Sequence, residues 1–519
     1  MAKNKFYNFF KKNFGWILFV IVVTIAVFLR FYKLGILPPG LHPGEAVFGI
    51  EAFKLNRSMS LKSLYSAGLN GGIFVYLQAI TINILGNTVS VLRLMPAIFG
   101  VLGVIATFLW MKEWFGGRAA LIGSFLMAIS PWMITISRSS LPASLVPFFI
   151  SITIYFATKA IRTNKNVFYL FSSLTLALGL YTYLAFWAIL PAILIGIIVV
   201  SMKNKKWFKK ASTGLVVALI TFLIVAIPII FAFSRHSQSY ISKLSKVSFL
   251  SREINNGKPL QSFADGLTKN ILAFNFRGDE NYHYNLAGLP LLNTFVGIMF
   301  VLGIMIAAAR IKRIKYMLLI IVFVFSILPA VLSPANAPSA LKLIASASVV
   351  FVFAGIGANY LLAKWYSIFP VNSLARNLGL TLVLTLMFMS LWQSYKQYFV
   401  AWAQDPKTYR ETAQDATEIA RYLNNKSNQN PTIYVIADNY SLSTINYMTD
   451  KKAEFKVLDS DTLKGLPIMN GQKVFIVQNS DNANAEIDLI KAKFPNGHLN
   501  EKFSDFTDQK LFYVYVVNQ

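Results

Sequence analysis

A histidine and a carboxylate follow the first long apolar run of the chain, inside the stretch from Arg30 to Gly49. This stretch begins with a cation and two aromatic residues, turns through Pro-Pro-Gly, and then presents His42 and Glu45. Proline and glycine are typical of tight turns. A turn that leaves a membrane helix with a carboxylate at its tip is suited to chemistry at a membrane surface. The rest of the chain can then hold a lipid-borne substrate against it.

Three cations, Arg93, Arg138 and Lys342, stand close to the ends of apolar runs. In the short links around Arg138 and Lys342 other cations are nearly absent, so each of the two needs a partner. Guanidinium and ammonium groups bind phosphate through charge-assisted hydrogen bonds. Each cation alone is explained equally well by contact with lipid headgroups. The set of cations, with an acidic loop on the same face, favours a phosphate ligand.

A second polar segment, from Phe276 to Asn285, places an acid, an imidazole and an amide within a few residues of each other, before an apolar run. The three residues are Asp279, His283 and Asn285. A polar loop with a turn explains the same residues as well as a functional site does, so the sequence alone leaves both interpretations open.

Metal and nucleotide motifs are absent from the sequence. There is no cysteine, no His-x-x-x-His and no P-loop, which excludes disulfides and thiolate sites and gives no support to a zinc or nucleotide site. The Asp-Ser-Asp at 459–461 is better explained as a solvated turn than as a metal site. We therefore expect no cofactor. A divalent metal is compatible with the chemistry, but nothing in the sequence supports one.

The composition identifies the elements that must position these residues as membrane helices. Of the 519 residues, 55% are hydrophobic and 14% are charged, and the mean hydropathy is +0.53; soluble domains carry about 25% charged residues. On a soluble protein the formal net charge of +27 would suggest nucleic acid. Here lysine and arginine concentrate in short links, where the positive-inside rule places them in the cytoplasm, and we expect no nucleic-acid partner.

Twelve apolar runs are present, and the charges decide which of them cross the membrane. Run 73–86 is the shortest, about 21 Å as a helix against a hydrocarbon core of about 30 Å, and letting it cross would put the basic links outside. We therefore predict an all-α polytopic membrane protein with about eleven transmembrane helices, thirteen being the upper bound. The other runs are 14–30, 90–111, 119–136, 141–158, 167–183, 185–202, 211–233, 291–309, 316–333, 341–363 and 377–396.

This assignment puts the N-terminus in the cytoplasm and the loops 31–89 and 234–290 outside. The basic N-terminal segment resembles a signal peptide, but no small-x-small cleavage site follows, so we interpret it as an uncleaved first span. Segments 46–57 and 73–86 are predicted as helices at the outer interface. The predicted location is the cell (plasma or inner) membrane, with several passes through the bilayer.

The composition becomes polar after residue 400. We predict a membrane domain over 1–400 and a small extracytoplasmic α/β domain over 401–519. Its predicted elements are helices Tyr409–Asn424 and Ala485–Phe494 and strands Pro431–Ala437, Lys473–Gln478 and Leu511–Val517.

Short motifs along the membrane part resemble those of GT-C glycosyltransferases, in particular bacterial protein-O-mannosyltransferases and lipid A aminoarabinose transferases. No single motif is specific, but together they cover essentially the whole membrane part in the right order. The motifs are Arg30-Phe-Tyr-x-Leu-Gly with Pro-Pro-Gly-Leu-His and Glu-Ala; Val91-Leu-Arg-Leu-Met-Pro-Ala; Ser130-Pro-Trp with Ser137-Arg138; Gly179-Leu-Tyr-Thr-Tyr; Gly278-Asp279 with His283-Tyr-Asn285 and Pro290; and Leu328-Pro-Ala-Val-Leu-Ser with Pro338 and Ala340-Leu-Lys342.

The resemblance implies the GT-C fold and the transfer of a sugar from a polyprenyl-phosphate donor, with inversion, to an extracytoplasmic lipid, protein or polysaccharide acceptor. Glu45 would be the base that takes the acceptor proton, since a lipid phosphate leaves without a general acid. Arg93, Arg138 and Lys342 would contact the donor phosphate. The implied substrate contacts are His42, Asp279, His283 and Asn285.

Three positions depart from the family pattern. The first outer loop of the family usually carries Asp-Glu, whereas this chain has Gly-Glu at 44–45, so the base is Glu45 or Asp279. After Arg138 the family often has an acid where this chain has Pro-Ala-Ser at 142–144. Lys342 stands where an arginine is usual, and keeps the charge without the bidentate geometry.

Two other functions stay open from the sequence alone. A membrane transporter or flippase of a lipid-linked glycan tends to show internal repeats and ionisable residues at mid-membrane depth, and the predicted span centres here are almost uncharged. A catalytically silent relative would result if glycine in place of an acid at position 44 abolishes transfer.

Overall fold

The structure of the chain, a computed structural model, describes residues 2–56, 71–286, 288–426, 432–449, 453–466, 471–504 and 509–517. Residues 57–70 of the first predicted outer loop, and Pro431, the predicted start of a strand, lie outside the described residues. The described part is mostly helical and has a small β-sheet near the C-terminus. The predicted fold class is confirmed at this level.

Long apolar runs form the helices of the membrane part, because a bilayer offers the backbone no hydrogen-bond partners and a helix satisfies its polar groups internally. The helices are α1 (Ala2–Phe31), α2 (Pro43–Asn56), α3 (Gly72–Leu85), α4 (Val89–Leu92), α5 (Leu94–Phe115), α6 (Gly117–Ile129), α7 (Pro131–Arg138), α8 (Val146–Thr163), α9 (Asn166–Gly179), α10 (Ile189–Lys203), α11 (Lys205–Val247), α12 (Arg252–Asn255), α13 (Pro259–Asn275), α14 (Thr294–Ala309), α15 (Ile314–Leu332), α16 (Ala347–Ile368) and α17 (Ser373–Tyr395). Pro142–Leu145, Leu184–Ala188 and Lys342–Ser346 form 3₁₀ turns, and Lys396–Trp402 forms a π turn.

Eight described helical segments are long and apolar enough to cross a membrane, and nine if the bent pair α6 and α7 is one span. The pair bends by 58° at Ser130-Pro131, where proline starts the second helix and its missing N–H costs no helical hydrogen bond. Two more of the predicted spans, α9 and α14, are apolar helices of 10–17 residues. The count of eleven spans therefore stays a prediction.

Helix α16 lies at the centre of the membrane part, where every residue from Ala347 to Ala358 is buried. Two glycines allow α14 to approach α16 closely. A Cβ atom on Gly303 would lie 1.9 Å from the carbonyl oxygen of Phe353, and one on Gly357 would lie 2.1 Å from that of Met299. The two backbones are therefore in direct contact.

The first predicted outer loop, 31–89, hereafter the first outer loop, contains two helices, α2 and α3, at the positions where segments 46–57 and 73–86 were predicted. They bury a joint apolar cluster that includes Leu41, Ala46 and Val75. The polar C-terminal part contributes Tyr447 to the same cluster. This packing holds the N-terminal end of α2, and with it Glu45, against the rest of the protein.

The second predicted outer loop, 234–290, is also largely helical. Helix α11 continues beyond the predicted end of its span at 233 and reaches Val247, and α12 and α13 follow. Polar residues such as Ser234 and Arg235 do not end the helix, because a helix that leaves the membrane can keep its own backbone hydrogen bonds in water. Short turns separate these helices, and the longest stretch without helix among the described residues of this loop follows Asn275.

The C-terminal part forms a five-stranded sheet with the order β2-β1-β3-β5-β4. β1 is parallel to β2 and β3, whereas β5 is antiparallel to β3 and β4. Separate apolar clusters cover its two faces. The elements are α18 (Pro406–Glu411), α19 (Gln414–Lys426), β1 (Thr432–Ile436), α20 (Ser441–Met448), β2 (Phe455–Val457), α21 (Ser460–Gly465), β3 (Lys473–Gln478), α22 (Ala483–Lys493), β4 (His498–Phe503) and β5 (Lys510–Val517).

Two expectations for this part differ from the structure. The predicted helix Tyr409–Asn424 is divided into α18 and α19, because Ala413 has a left-handed φ of 53°. Strands β2 and β4 were not predicted. β4 is mostly exposed and lacks the apolar alternation that marks a strand in sequence.

Replacing Gly303 with alanine should separate α14 from α16, because the added methyl group meets backbone atoms that cannot rotate away. We expect a loss of about 1–3 kcal/mol of stability, measured as a lower midpoint of thermal unfolding in detergent. Gly15→Ala in α1 is the matched control, since a Cβ there meets no atom within 4 Å. Equal midpoints for the two variants would contradict the close helix contact.

Candidate active site

A buried ion pair joins Glu45, in the first turn of α2, to Arg93, between α4 and α5. Both side chains are fully buried. Arg93 donates from Nε to Oε2 and from Nη2 to Oε1 of Glu45, at 3.0 Å each. Oε2 also accepts from the backbone N–H of Ser140 at 2.7 Å, and Oε1 from that of His42 at 3.4 Å. Glu45 therefore has hydrogen-bond donors on both carboxylate oxygens.

Arg93 also fixes the turn that precedes α2. Its Nη1 donates to the carbonyl of Pro38 at 2.8 Å, and its Nη2 donates to the carbonyl of Gly40. One guanidinium thus connects the Pro-Pro-Gly turn, the start of α2 and the start of α5. Glu45 and Arg93, which are predicted from the sequence to lie on the same face of the membrane, form a direct ion pair in the structure.

Arg138, at the C-terminal end of α7, is fully buried and has an acceptor for each of its five N–H groups. Nε donates to the hydroxyl of Tyr398 at 3.1 Å. The other four bonds end on backbone carbonyls in and just after the last turn of α1, where helices leave acceptors unpaired. These carbonyls belong to Leu29, Arg30, Tyr32 and Leu37.

Lys342 plays a similar part after α15. Its Nζ donates to the carbonyls of Ser333 and Ala335, at 2.7 Å each, in the segment that follows the last turn of that helix. Cations are favoured at helix C-termini because they complement the exposed carbonyls and the helix dipole. Arg138 and Lys342 thus stabilise helix ends, and their role toward a phosphate stays a prediction.

Asp279 connects the second outer loop to the segment before Lys342. Its carboxylate accepts from the N–H of Asn281 at 2.9 Å and from that of Ala340 at 2.8 Å. Burial raises the pKa of Asp279, and these two N–H groups oppose the rise. Asn285 donates to the carbonyls of Asp279 and Leu289, at 3.0 and 2.7 Å. Both side chains therefore shape the loop itself.

His42 and His283 bring the two outer loops together, since their rings stack with centroids 3.8 Å apart and planes inclined by 19°. The N–H of Gly44 donates to Nδ1 of His42 at 3.0 Å, so in the neutral ring Nε2 carries the proton. That nitrogen lies 3.1 Å from the hydroxyl of Tyr440, just before α20. The C-terminal part thus contacts the site directly.

The ring of His283 is fully buried, and neither of its nitrogens has a hydrogen-bond partner among the described residues. Burial lowers the pKa of His283 well below its usual value, and the neighbouring His42 and Arg93 lower it further. Burial likewise lowers the pKa of His42. Both rings are therefore neutral at physiological pH, and His283 keeps a free acceptor nitrogen.

Sequence reasoning missed a third buried guanidinium, that of Arg30 in the last turn of α1. Its Nη1 donates to the carbonyls of Ala26 and Ala128, at 3.3 and 3.0 Å, whereas Nε and Nη2 have no partner among the described residues. The side chain packs on Gly100, where a Cβ would lie 2.8 Å from Nε. The signal was the motif that begins at Arg30, which we used to recognise the family and not as a site.

A metal site built from side chains does not arise within the described residues, because no three His, Asp or Glu side chains come close enough together to hold an ion. The expected absence of a cofactor stays a prediction.

Sequence comparisons match part of the chain to proteins described as mannosyltransferases. Residues 72–231 match the family described as dolichyl-phosphate-mannose-protein mannosyltransferase. Over 124 residues the chain is 32% identical to a protein of Bacillus subtilis (strain 168) described as "Putative mannosyltransferase YkcB". This match covers 24% of the chain and 17% of the relative, so the chain matches less than a fifth of that protein's length.

Solved structures extend the likeness along the chain. ArnT from Cupriavidus metallidurans matches with a TM-score of 0.57 and 11% identity, over 97% of this chain and 98% of that one. The chain has the GT-C fold. The predicted resemblance is thereby confirmed. AglB from Archaeoglobus fulgidus, an oligosaccharyltransferase solved with an inhibitory peptide and a dolichol-phosphate, matches with a TM-score of 0.54 and 14% identity, over 97% and 74%. ArnT has also been solved bound to undecaprenyl phosphate.

Within the GT-C fold the predicted residues form two groups. His42, Glu45, Arg93 and His283 lie together at the first outer loop. Asp279, Asn285 and Lys342 lie around the second outer loop and the segment that precedes α16. Arg138 adjoins the first group through the end of α1. No comparison tests the role of any of these residues, so their roles stay predictions.

Acid should destabilise the protein through His283. The unfolded ring has a pKa of about 6.5, and the folded ring protonates only at lower pH. The unfolded state therefore binds more protons once the pH falls below about 6.5, and the free energy of unfolding decreases there. In His283→Phe, which keeps a ring against His42, we expect a smaller fall in the unfolding midpoint between pH 7.5 and 5.5.

His498→Phe, on the exposed strand β4, is the control and should keep the wild-type pH dependence. If wild type and His283→Phe lose the same midpoint on acidification, His283 does not titrate in this way.

Proposed function

We propose that the chain transfers a sugar from a polyprenyl-phosphate donor to a hydroxyl acceptor at the outer face of the cell membrane. The observation that supports this most directly is the charge of the buried cluster at the first outer loop. It contains three fully buried guanidinium groups, on Arg30, Arg93 and Arg138, and one fully buried carboxylate, on Glu45. Buried charges are paired or cost much free energy, so the cluster calls for an anion.

A lipid phosphate supplies that anion. Arg30 is the group best able to bind it, because its Nε and Nη2 carry N–H donors that have no partner in the part of the chain that the structure describes. Arg138 and Arg93 would contribute positive charge without direct bonds, since their donors end mainly on carbonyls and on Glu45. In the reaction the bond from the sugar carbon to the phosphate oxygen breaks, and the phosphate leaves with the electron pair. Positive charge beside it stabilises the transition state.

Glu45 is our proposed base, which removes the acceptor proton as the new bond from oxygen to sugar carbon forms, with inversion. Its hydrogen bonds require that one contact, either from Arg93 or from Ser140, opens when the acceptor arrives. The second candidate base is His283, whose ring stacks on that of His42 and whose two nitrogens have no hydrogen-bond partner among the described residues.

The acceptor class, the sugar and the membrane are further parts of the proposal. The family match favours mannose as the sugar. A lipid, a protein and a polysaccharide are the three acceptor classes. The donor phosphate places the reaction at a membrane, which we propose to be the plasma or inner membrane with the outer loops and the sheet on the extracytoplasmic side.

Purified chain should transfer radiolabelled mannose from a polyprenyl-phosphate donor to an envelope extract, with release of polyprenyl phosphate. Arg30→Gln should lower the rate about 10²–10³-fold, the usual loss for one preorganised donor to a developing charge. Arg252→Gln, at the exposed start of α12, is the control and should keep the rate. If the wild type transfers mannose and Arg30→Gln transfers it at the same rate, Arg30 is not a phosphate contact.

Absence of transfer by the wild type would favour the silent relative, and position 44 then separates the two cases. A Cβ there would lie 3.0 Å from Nδ1 of His42, so a side chain needs only a small shift of that ring. Gly44→Asp supplies the acid that the family carries, and Gly44→Ala supplies the Cβ alone. A gain in the first variant only would identify a weakened transferase. No activity in either would reject transfer, and substrate movement in sealed vesicles would then support a transporter.

Removing both members of the ion pair distinguishes a catalytic from a structural Glu45. Glu45→Gln alone leaves Arg93 buried without a counter-charge and should cost about 3–5 kcal/mol. The double variant Glu45→Gln/Arg93→Gln removes both charges of the pair and should recover most of the unfolding midpoint. If Glu45 is the base, this folded variant should transfer sugar about 10²–10⁴-fold more slowly. Recovery of transfer together with the fold would exclude Glu45 as base and favour His283.

A further inference from the structure

A second ligand site is indicated at the opposite end of the membrane helices from the first outer loop. Helices α1, α5, α6, α16 and α17 surround an apolar groove with a volume of about 810 Å³. Its walls include Trp16, Ile21, Phe125 and Leu384, and its end is lined by Lys112 and Arg118. Sites for small molecules usually have volumes of about 300–1,000 Å³, so the groove is large enough for a ligand.

The length of the groove corresponds to one leaflet of a bilayer. Along α1 it extends from Phe14 to Ile25, and along α17 from Leu380 to Leu391. Each stretch rises by about 17 Å as a helix, and half of a hydrocarbon core is about 15 Å thick. A chain that lies in the groove would therefore reach from one membrane surface to the bilayer centre.

Cations and aromatic rings are arranged at the surface end of the groove. The Nζ of Lys112 lies 4.4 Å from the ring centroid of Trp16. The guanidinium groups of Arg118 and Arg376 lie 5.5 and 4.9 Å from the ring centroid of Tyr366. Aromatic residues of this kind are enriched at headgroup depth. The rings thus hold Lys112 and Arg118 in the lining of the groove, where a lipid headgroup would lie, and hold Arg376 beside Tyr366, a lining residue.

These three cations have no carboxylate within 4.0 Å among the described residues. The neighbouring acid, Glu113, already pairs with Lys159 and Arg162. The positive-inside rule explains why cations occur in this link. It does not require that they converge on an apolar groove or lie against aromatic rings.

We propose that this groove binds an anionic phospholipid of the leaflet opposite the first outer loop, with its phosphate at Lys112 and Arg118 and an acyl chain along α1 and α17. Basic pockets between transmembrane helices are known to bind anionic headgroups. The site is distinct from the proposed transfer site, because Arg93 and Lys112 lie at opposite ends of α5, about 28 Å apart along the helix. The proposal is independent of the transfer reaction.

The test uses the full chain, purified in detergent and washed free of lipid. Phosphatidylglycerol and phosphatidylcholine with the same acyl chains are added separately, and binding is measured by native mass spectrometry and by the shift in the unfolding midpoint. We expect phosphatidylglycerol to bind about tenfold more tightly, and Lys112→Gln/Arg118→Gln to remove that preference. The control Lys206→Gln/Lys209→Gln changes the net charge equally, in the first turns of α11, and should leave binding unchanged.

A second pair of variants tests the groove without changing charge. Leu384→Trp should fill it and weaken the binding of both lipids, whereas Leu378→Trp, 60% exposed on the same helix and not part of the lining, should not. Equal affinity of the wild type for the two lipids would overturn the proposal. So would binding that survives both Lys112→Gln/Arg118→Gln and Leu384→Trp. Displacement of phosphatidylglycerol by an equal amount of polyprenyl phosphate would assign the groove to the donor lipid instead.

Discussion

The ion pair between Glu45 and Arg93 is the interaction on which the outer part of the membrane domain depends. Taking two charges out of water costs several kcal/mol for each ion, and only good geometry with further hydrogen bonds offsets this cost. The structure provides both, through two parallel bonds between the side chains and through the N–H of Ser140 and the carbonyls of Pro38 and Gly40. The pair thereby joins the first outer loop, the start of α5 and the segment after α7, and through the N–H of His42 on Oε1 of Glu45 it also holds the backbone of His42.

Positive charge around this pair exceeds what the fold needs for its own hydrogen bonds. All five N–H donors of Arg138 bond to the hydroxyl of Tyr398 and to carbonyls in and after the last turn of α1. These bonds stabilise the fold. Arg30, whose carbonyl accepts one of these bonds, is fully buried, and its Nε and Nη2 donors have no partner among the described residues. A sequence under selection for stability alone would favour an apolar residue at such a position, because an unpaired buried guanidinium is costly. The cost is accounted for when an anion binds there, and this links the packing of α1 to the proposed donor phosphate.

The class of fold and the segments that form the site could be predicted from the sequence, because both depend on patterns of residues that are close together in the chain. Apolar runs and basic links predict membrane helices by themselves, and β3 was predicted from six consecutive residues. The roles of Arg138 and Lys342 were not predictable in this way. Their acceptors are backbone carbonyls of helices that are distant in sequence, and any residue type supplies the same carbonyl. The pairing of Glu45 with Arg93 depends on how α2 docks on α5, and the stack of His42 on His283 depends on two loops more than 200 residues apart, so neither leaves a pattern in the sequence.

The contact between Tyr440 and His42 gives the C-terminal sheet a defined relation to the site. The N–H of Gly44 occupies Nδ1 of His42, so the ring proton lies on Nε2 and is donated to the Tyr440 oxygen. The hydroxyl proton of Tyr440 is then free for another acceptor. Thr444 and Thr417 add bonds to the carbonyl and the N–H of Leu41, at 2.8 and 2.9 Å. The C-terminal part therefore binds the backbone of Leu41 through two threonine hydroxyls. It binds the ring of His42 through the hydrogen bond from Nε2 to Tyr440. Any change in how that part docks must move the imidazole stack that connects the two outer loops.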